Sequence, residues 1–151
     1  MRAVSSSAVA APSDPDLAAR LRLVVFRLRR RLHREAGGDL TPSQASALSS
    51  VARLGPLTLG ELSQVENVRP PTLTKVIAAL EQMGLVVRHI DPSDRRVSRV
   101  EATKEGSALL IRNRVLTDAY LAARLASLSA ADRAALVRAV DVLERLLEAD
   151  E

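Results

Sequence analysis

Cysteine and tryptophan are absent from this chain of 151 residues, and its phenyl and phenol rings are limited to Phe26 and Tyr120. Without cysteine, neither a disulfide nor a thiol-based redox switch can be built. With two rings, single-stranded nucleic acid cannot be gripped by base stacking, which takes several exposed aromatics. The core must come from Leu, Val and Ala, a composition that favours helices. No apolar run reaches the roughly 18 residues of a membrane-spanning helix. The first dozen residues hold one Arg and no apolar stretch of the kind a secretory signal needs. A cytoplasmic location and no membrane partner are therefore expected. Histidine is scarce as well. His33 and His89 stand apart from other ligand types, whereas zinc takes roughly three or four, so no metal and no cofactor are expected. There is no Gly-rich phosphate loop and no Ser/His/Asp or Cys/His set. Asp91 and Asp94 sit in a basic loop rather than a cleft, and no catalytic chemistry is expected.

What is present fits one globular domain, with 47% apolar residues and a net charge of +4. The charge is unevenly placed. Between Arg69 and Lys104 there are seven basic residues against four acidic ones. From Asp132 onward three basic residues face six acidic ones. Attraction for phosphate belongs to the middle of the chain, and the C-terminal helix should point away from it.

The middle is also where the pattern is densest. Thr58 and Glu61 form a capping box, so a helix starts at Leu59, with Leu59, Leu62 and Val65 on its apolar edge. Asn67 suits a sharp turn, because Asn tolerates the left-handed conformation. A second helix opens at Pro70-Pro71, where missing N–H groups cost nothing. Its apolar face is Leu73, Val76, Ile77, Leu80 and Met83. Its polar face carries Thr72, Thr74, Lys75 and Gln82, with Arg69 just ahead, and Gly84 stops it. Leu85 to Ile90 reads as a strand and Ser98 to Ala102 as its return. Asp91-Pro-Ser-Asp-Arg-Arg-Val97 joins them as a charged loop. This is a helix-turn-helix followed by a wing, a unit that lays the start of its second helix in the DNA major groove.

The flanks are helical. Residues 1–13, rich in Ser and Ala, are expected to form a disordered arm. Asp14-Pro15 is read as cap and first turn of a helix that ends near Gly37-Gly38, with Leu17, Leu21, Val24, Leu28 and Leu32 as its stripe. Seven arginines from Arg20 to Arg34 line its other faces. A solvated face ion-paired to the acidic C-terminal helix is expected of them; DNA contact or ligand capture is the alternative. Thr41 to Gln44 is another capping box, opening a helix to Leu54 with Ala45, Leu48, Val51 and Ala52 inward, and Leu57 can add a short third strand. Thr103 caps a long helix to about Ser127. Ser129 and Asp132 open the last, whose stripe is Leu136, Val140, Leu143, Leu146 and Leu147.

The element order, the Leu80-Glu-Gln-Met-Gly-Leu-Val-Val-Arg88 segment and the Asp-Pro-Ser-Asp-Arg-Arg wing followed by Thr103-Lys-Glu-Gly106 resemble the MarR (multiple antibiotic resistance regulator) family. The motif segment spans roughly a third of the chain. The resemblance implies a mainly α fold with a small β-wing. Residues 37–103 would form the winged helix-turn-helix DNA-binding region, and residues 14–36 and 104–151 a helical dimerisation region. It implies a homodimeric regulator of transcription binding double-stranded DNA at a pseudo-palindromic operator, most often a repressor, released by a small ligand. Oxidation through cysteine, used by one branch, is excluded here. Arg69 stands where the family often has a serine-like cap.

Arg96 matches the arginine that the family inserts into the minor groove, and Asp94 would brace a wing arginine, Arg95 or Arg96. Thr72, Thr74 and Lys75, with Arg69 and Pro71 beside them, are expected at phosphates or base edges. A crevice is expected where helices 16–36, 41–54 and 103–127 meet. Phe26, Arg30 and Tyr120 are its candidate lining, for a small apolar or aromatic anionic effector. A winged-helix scaffold that binds acidic protein rather than DNA is the alternative, and salt dependence separates the two.

Overall fold

The computed structural model describes residues 13–91, 94 and 96–148. Six helices and three short strands follow one another: α1 (Asp14–Glu35), α2 (Pro42–Leu54), β1 (Leu57–Thr58), α3 (Leu59–Glu66), α4 (Pro70–Gln82), β2 (Val86–Ile90), β3 (Ser98–Ala102), α5 (Lys104–Ala126) and α6 (Ala130–Glu148). The fold is mainly helical with a small antiparallel sheet, strand order β1-β3-β2.

Local chemistry sets most of the boundaries. The Thr41 hydroxyl accepts from the Gln44 N–H at 3.3 Å, and the Gln44 amide accepts from the Thr41 N–H at 2.7 Å, which closes the box that opens α2. The Thr58–Glu61 box does the same for α3, at 3.2 and 2.7 Å. Thr103 accepts from the Gly106 N–H and Ser129 from the Asp132 N–H, each satisfying a donor at a helix start. At α1 the cap is Ser13 rather than Asp14. Pro15 is accommodated one position deeper, and Ser13 donates to Asp16 at 2.6 Å. Ser13 thus belongs to the helix and not to the expected arm, whose residues 1–12 lie outside the described residues. Asn67 adopts φ 50°, ψ 42°, the left-handed turn between α3 and α4.

The core lies inside the central unit. Leu48 and Val51 of α2, Leu62 of α3, Leu73, Ile77 and Leu80 of α4, and Val100 of β3 are fully buried, with Leu40, Leu85, Val86 and Leu109 around them. Three residues expected at this apolar boundary are exposed instead: Ala52, Val65 and Met83. Met83 is the cap residue of α4, beyond the last helical turn that packs. Val65 lies near the end of the eight-residue α3, past the part that α2 and α4 cover.

The terminal helices differ in kind. Neither α1 nor α6 contains a buried residue. Leu17, Val24, Phe26 and Leu28 of α1, Ile111 and Val115 of α5, and Val140, Leu146 and Leu147 of α6 remain exposed. Among the described residues no α1 arginine is ion-paired to α6. Arg31 pairs with Glu35 of its own helix at 2.8 Å. Within one chain α1 packs chiefly on α5, so complementary charge on α6 finds no close partner there.

The entry of α5 is tight. The Thr103 hydroxyl donates to the Gly84 carbonyl at 2.8 Å, and the Thr103 N–H donates to the Leu85 carbonyl at 3.0 Å. Gly106 lies so close to that turn that a Cβ on it would stand 2.2 Å from the Leu85 carbonyl oxygen.

Candidate nucleic-acid interface

Between α3 and α4 the chain reverses over Asn67, Val68 and Arg69. The Ser63 hydroxyl donates to the Val68 carbonyl, and the Val68 N–H donates to the Ser63 carbonyl at 3.1 Å. Ser63 therefore has a specific task, tying the turn back onto α3, and its small size lets the chain pass close. Arg69 is the cap residue of α4 and makes no side-chain cap. Pro70 and Pro71 occupy the first turn, where their missing N–H groups leave nothing unbonded.

The polar face of α4 is free to meet a partner. Arg69, Pro71, Thr72, Thr74 and Lys75 are all exposed. The Thr74 hydroxyl donates to the Pro70 carbonyl at 2.9 Å. Its hydrogen is thus committed, and it can offer a partner only its lone pairs or its methyl group. Thr72 also borders a small cleft with Arg29, Ser46 and Glu66.

The wing springs from β2 and β3, paired from Val86↔Ala102 to Ile90↔Ser98. Its base is closed by the Asp91 N–H on the Val97 carbonyl and the Val97 N–H on the Asp94 carbonyl, both at 2.9 Å. Arg96 is the most exposed ion-paired side chain here, at 91%. It is still not loose. Asp94 receives its Nε at 3.1 Å, its Nη2 at 3.2 Å and its backbone N–H at 3.0 Å. A two-pronged carboxylate grip of this kind fixes the plane of the guanidinium. The Arg96 guanidinium, and next its backbone N–H, hold the Asp94 carboxyl below the usual carboxylate range. With a depressed pKa the pairing is complete above the ordinary value. It is lost only as pH falls through the lowered one. Arg95 lies outside the described residues.

A contact that sequence reasoning missed connects the wing to α3. Arg99 of β3 donates from Nε to Asp91 at 2.7 Å and from Nη1 to Glu61 at 3.4 Å. In the sequence Glu61 reads only as a cap and Arg99 only as a charge. The signal that joins them is the pairing of Thr58 with Arg99 between β1 and β3. Hydrogen bonding to Asp91 raises the Arg99 pKa. The Thr58 N–H, then the Thr58 hydroxyl and the Arg99 charge, lower that of Glu61.

A cavity of about 610 Å³ opens between α1, α2 and α5. Phe26, Arg30 and His33 line it from α1, Ala45 and Ser46 from α2, and Thr117 from α5. Phe26 and Arg30 are therefore together as expected, whereas Tyr120 is not part of the lining. Two guanidinium groups lie over its ring, Arg31 of α1 at 5.4 Å and Arg124 of its own helix at 5.2 Å from the centroid. The attraction to Arg31 holds the ring across α1 and α5 instead. Among the described residues no group of three or more His, Cys, Asp or Glu could hold a metal ion, and no helix is long and apolar enough to cross a membrane.

Comparison with known proteins agrees with this architecture. The family model described as "MarR family" matches residues 40–98. An HTH-type transcriptional regulator of Mycobacterium tuberculosis is 39% identical over 137 residues, covering 90% of this chain and 96% of the relative. A crystal structure of a candidate transcriptional regulator from Pseudomonas aeruginosa is 38% identical, with a TM-score of 0.77, covering 90% of this chain and 98% of that one. A variant of MepR from Staphylococcus aureus, solved bound to an oligodeoxyribonucleotide, shares the fold at a TM-score of 0.68 and 17% identity, covering 87% of this chain and 97% of that one. With its helix-turn-helix, its arginine-tipped wing and relatives that match over nearly their whole length, the chain belongs to the MarR family of DNA-binding transcriptional regulators, which are not enzymes.

Proposed function

We propose that the protein is a homodimeric, ligand-responsive repressor that works in the cytoplasm on a pseudo-palindromic operator. In this reading α4 enters the major groove and the wing enters the adjacent minor groove. The observation that carries it is Arg96: a guanidinium at the tip of the wing, exposed to solvent yet fixed in plane by Asp94. A narrow minor groove concentrates negative potential and attracts such a group. Thr72 offers a hydroxyl and Lys75 a cation to phosphates and base edges, while Thr74 offers its lone pairs or its methyl group to base edges. MepR, which shares the fold, was captured with DNA.

The exposed apolar residues of α1, α5 and α6 support a dimer. A second copy laid along these helices would cover them. A two-fold dimer must then hold its recognition helices about 34–36 Å apart, one turn of DNA.

Arg96→Ala is expected to weaken binding to the duplex that wild-type protein selects from a randomised pool by about 1–3 kcal/mol, with the fold intact. Lys75→Ala should weaken all sequences alike and lower the salt slope by about one contact. Unchanged affinity of Arg96→Ala at fixed salt would place the wing off the DNA. Binding without salt dependence would favour a protein-binding scaffold.

The cavity beside Phe26 and Arg30 is the proposed effector site. Its volume suits a small organic ligand, its lining is mainly apolar, and Arg29 and Arg30 stand ready for an anionic group. A ligand there opposes DNA only by binding the DNA-incompetent spacing of the two lobes more tightly. Millimolar salicylate-like acids should release the selected duplex. If they neither release it nor bind the free protein, this ligand class is wrong.

A further inference from the structure

We infer that Arg99 is a positioning residue that clamps the wing to the first turn of α3, fixing where Arg96 stands relative to the recognition helix. The inference rests on the DNA-binding reading above. Arg99 lies on β3 and reaches two carboxylates on different elements. Asp91, at the end of β2, takes its Nε at 2.7 Å, and its side chain is only 13% exposed. Glu61, at the start of α3, takes its Nη1 at 3.4 Å. Register brings them together, since Thr58, the cap of α3, pairs directly with Arg99.

The Glu61 oxygen that meets Arg99 is already engaged. Oε2 also accepts from the Thr58 N–H at 2.7 Å and from the Thr58 hydroxyl at 2.9 Å. One carboxylate oxygen therefore starts the helix and holds the wing. Beyond the ladder, β2 has a second tether, from Arg88 to Glu81 of α4 at 3.1 Å. The two arginines bind the two strands of the wing to the two helices of the helix-turn-helix. A two-stranded projection is otherwise free to bend about its base. Half-exposed ion pairs contribute little to stability. The clamp's contribution is therefore to the relative placement of Arg96 and α4, which must enter neighbouring grooves together.

The two tasks of Glu61 can be separated. At the start of α2 the corresponding position is Gln44, which caps Thr41 at 2.7 Å without a charge. Glu61→Gln should therefore keep the cap and weaken only the clamp. Arg99→Lys keeps the charge but cannot reach both carboxylates with one planar fork.

The test measures thermal midpoint and affinity for the duplex selected by the wild-type protein, for both variants, each alone and combined with Arg96→Ala. Glu61→Gln should leave the midpoint in place and weaken binding about threefold to tenfold, the scale of a modest coupling between neighbouring groups. In the Arg96→Ala background neither variant should weaken binding further, because no groove-seeking arginine remains to be placed. Unchanged affinity of both variants beside normal wild-type binding would overturn the clamp alone. Losses that add in full to that of Arg96→Ala would also overturn it, making Arg99 a DNA contact in its own right. Wild-type protein that binds no duplex would overturn the DNA reading and the clamp with it.

Discussion

Replacing Gly106 by Ala is expected to destabilise the fold by about 3 kcal/mol or more, the upper end of overpacking costs. The added Cβ would stand 2.2 Å from the Leu85 carbonyl oxygen and 3.1 Å from Cδ1 of Leu48. Leu48 can move by a few tenths of an ångström; the carbonyl cannot. It accepts from the Thr103 N–H, while the neighbouring Gly84 carbonyl accepts from the Thr103 hydroxyl. Relief therefore means breaking the bonds that dock α5 on the start of β2. Chemical denaturation measures this directly. Gly60→Ala supplies the control. There the new Cβ would meet only the Thr58 hydroxyl oxygen, at 3.8 Å. Alanine in a helix is favoured over glycine by roughly 0.5–1 kcal/mol, so this variant should be neutral to stabilising. Equal midpoints for Gly106→Ala and wild type would mean that α5 enters the lobe by some other path.

Deletion of residues 129–151 is expected to yield a monomer or an aggregate and to lower affinity for a two-half-site duplex by about 100-fold or more. That is the scale on which joining two modules raises avidity. No residue of α6 is buried within the chain, and Leu146 and Leu147 are 60% and 72% exposed. A charge at either position thus has little to disrupt within one chain. Leu147→Asp should leave each chain folded while separating the copies, so that lost DNA binding can be traced to lost assembly. Sedimentation of the two variants decides the matter. A truncated protein that stays a compact dimer and keeps its affinity would remove α6 from the interface.

What could be read from the sequence was mostly short in range. The boxes at Thr41–Gln44 and Thr58–Glu61, and the caps at Thr103 and Ser129, each close over three residues. A cap of this kind depends on little beyond the segment itself. Asp14 reads as the cap of α1, yet Ser13 holds that position, because both side chains can cap and Pro15 fits either frame. Periodicity found the buried stripe of α4 but could not tell where it ends, because Met83 keeps the spacing after the helix has stopped. Arg96 and Asp94 were legible as neighbours in a loop. Arg99 and Glu61 were not, since 38 residues separate them and only strand register unites them. Tyr120 had the right helix but the wrong company, because arginines on α1 and α5 lie over its ring.

That tyrosine gives the molecule a built-in optical probe. With no tryptophan in the chain, Tyr120 is the dominant intrinsic fluorophore. It sits where α1 and α5 meet, away from the recognition helix and the wing. Its emission will therefore follow the docking of those two helices, while far-ultraviolet dichroism follows every helix alike. Melting curves from the two signals that coincide would indicate that the helix-turn-helix and the α1–α5 pair unfold as one cooperative unit. Curves that separate would measure the stability of the α1–α5 contact by itself, without any label attached.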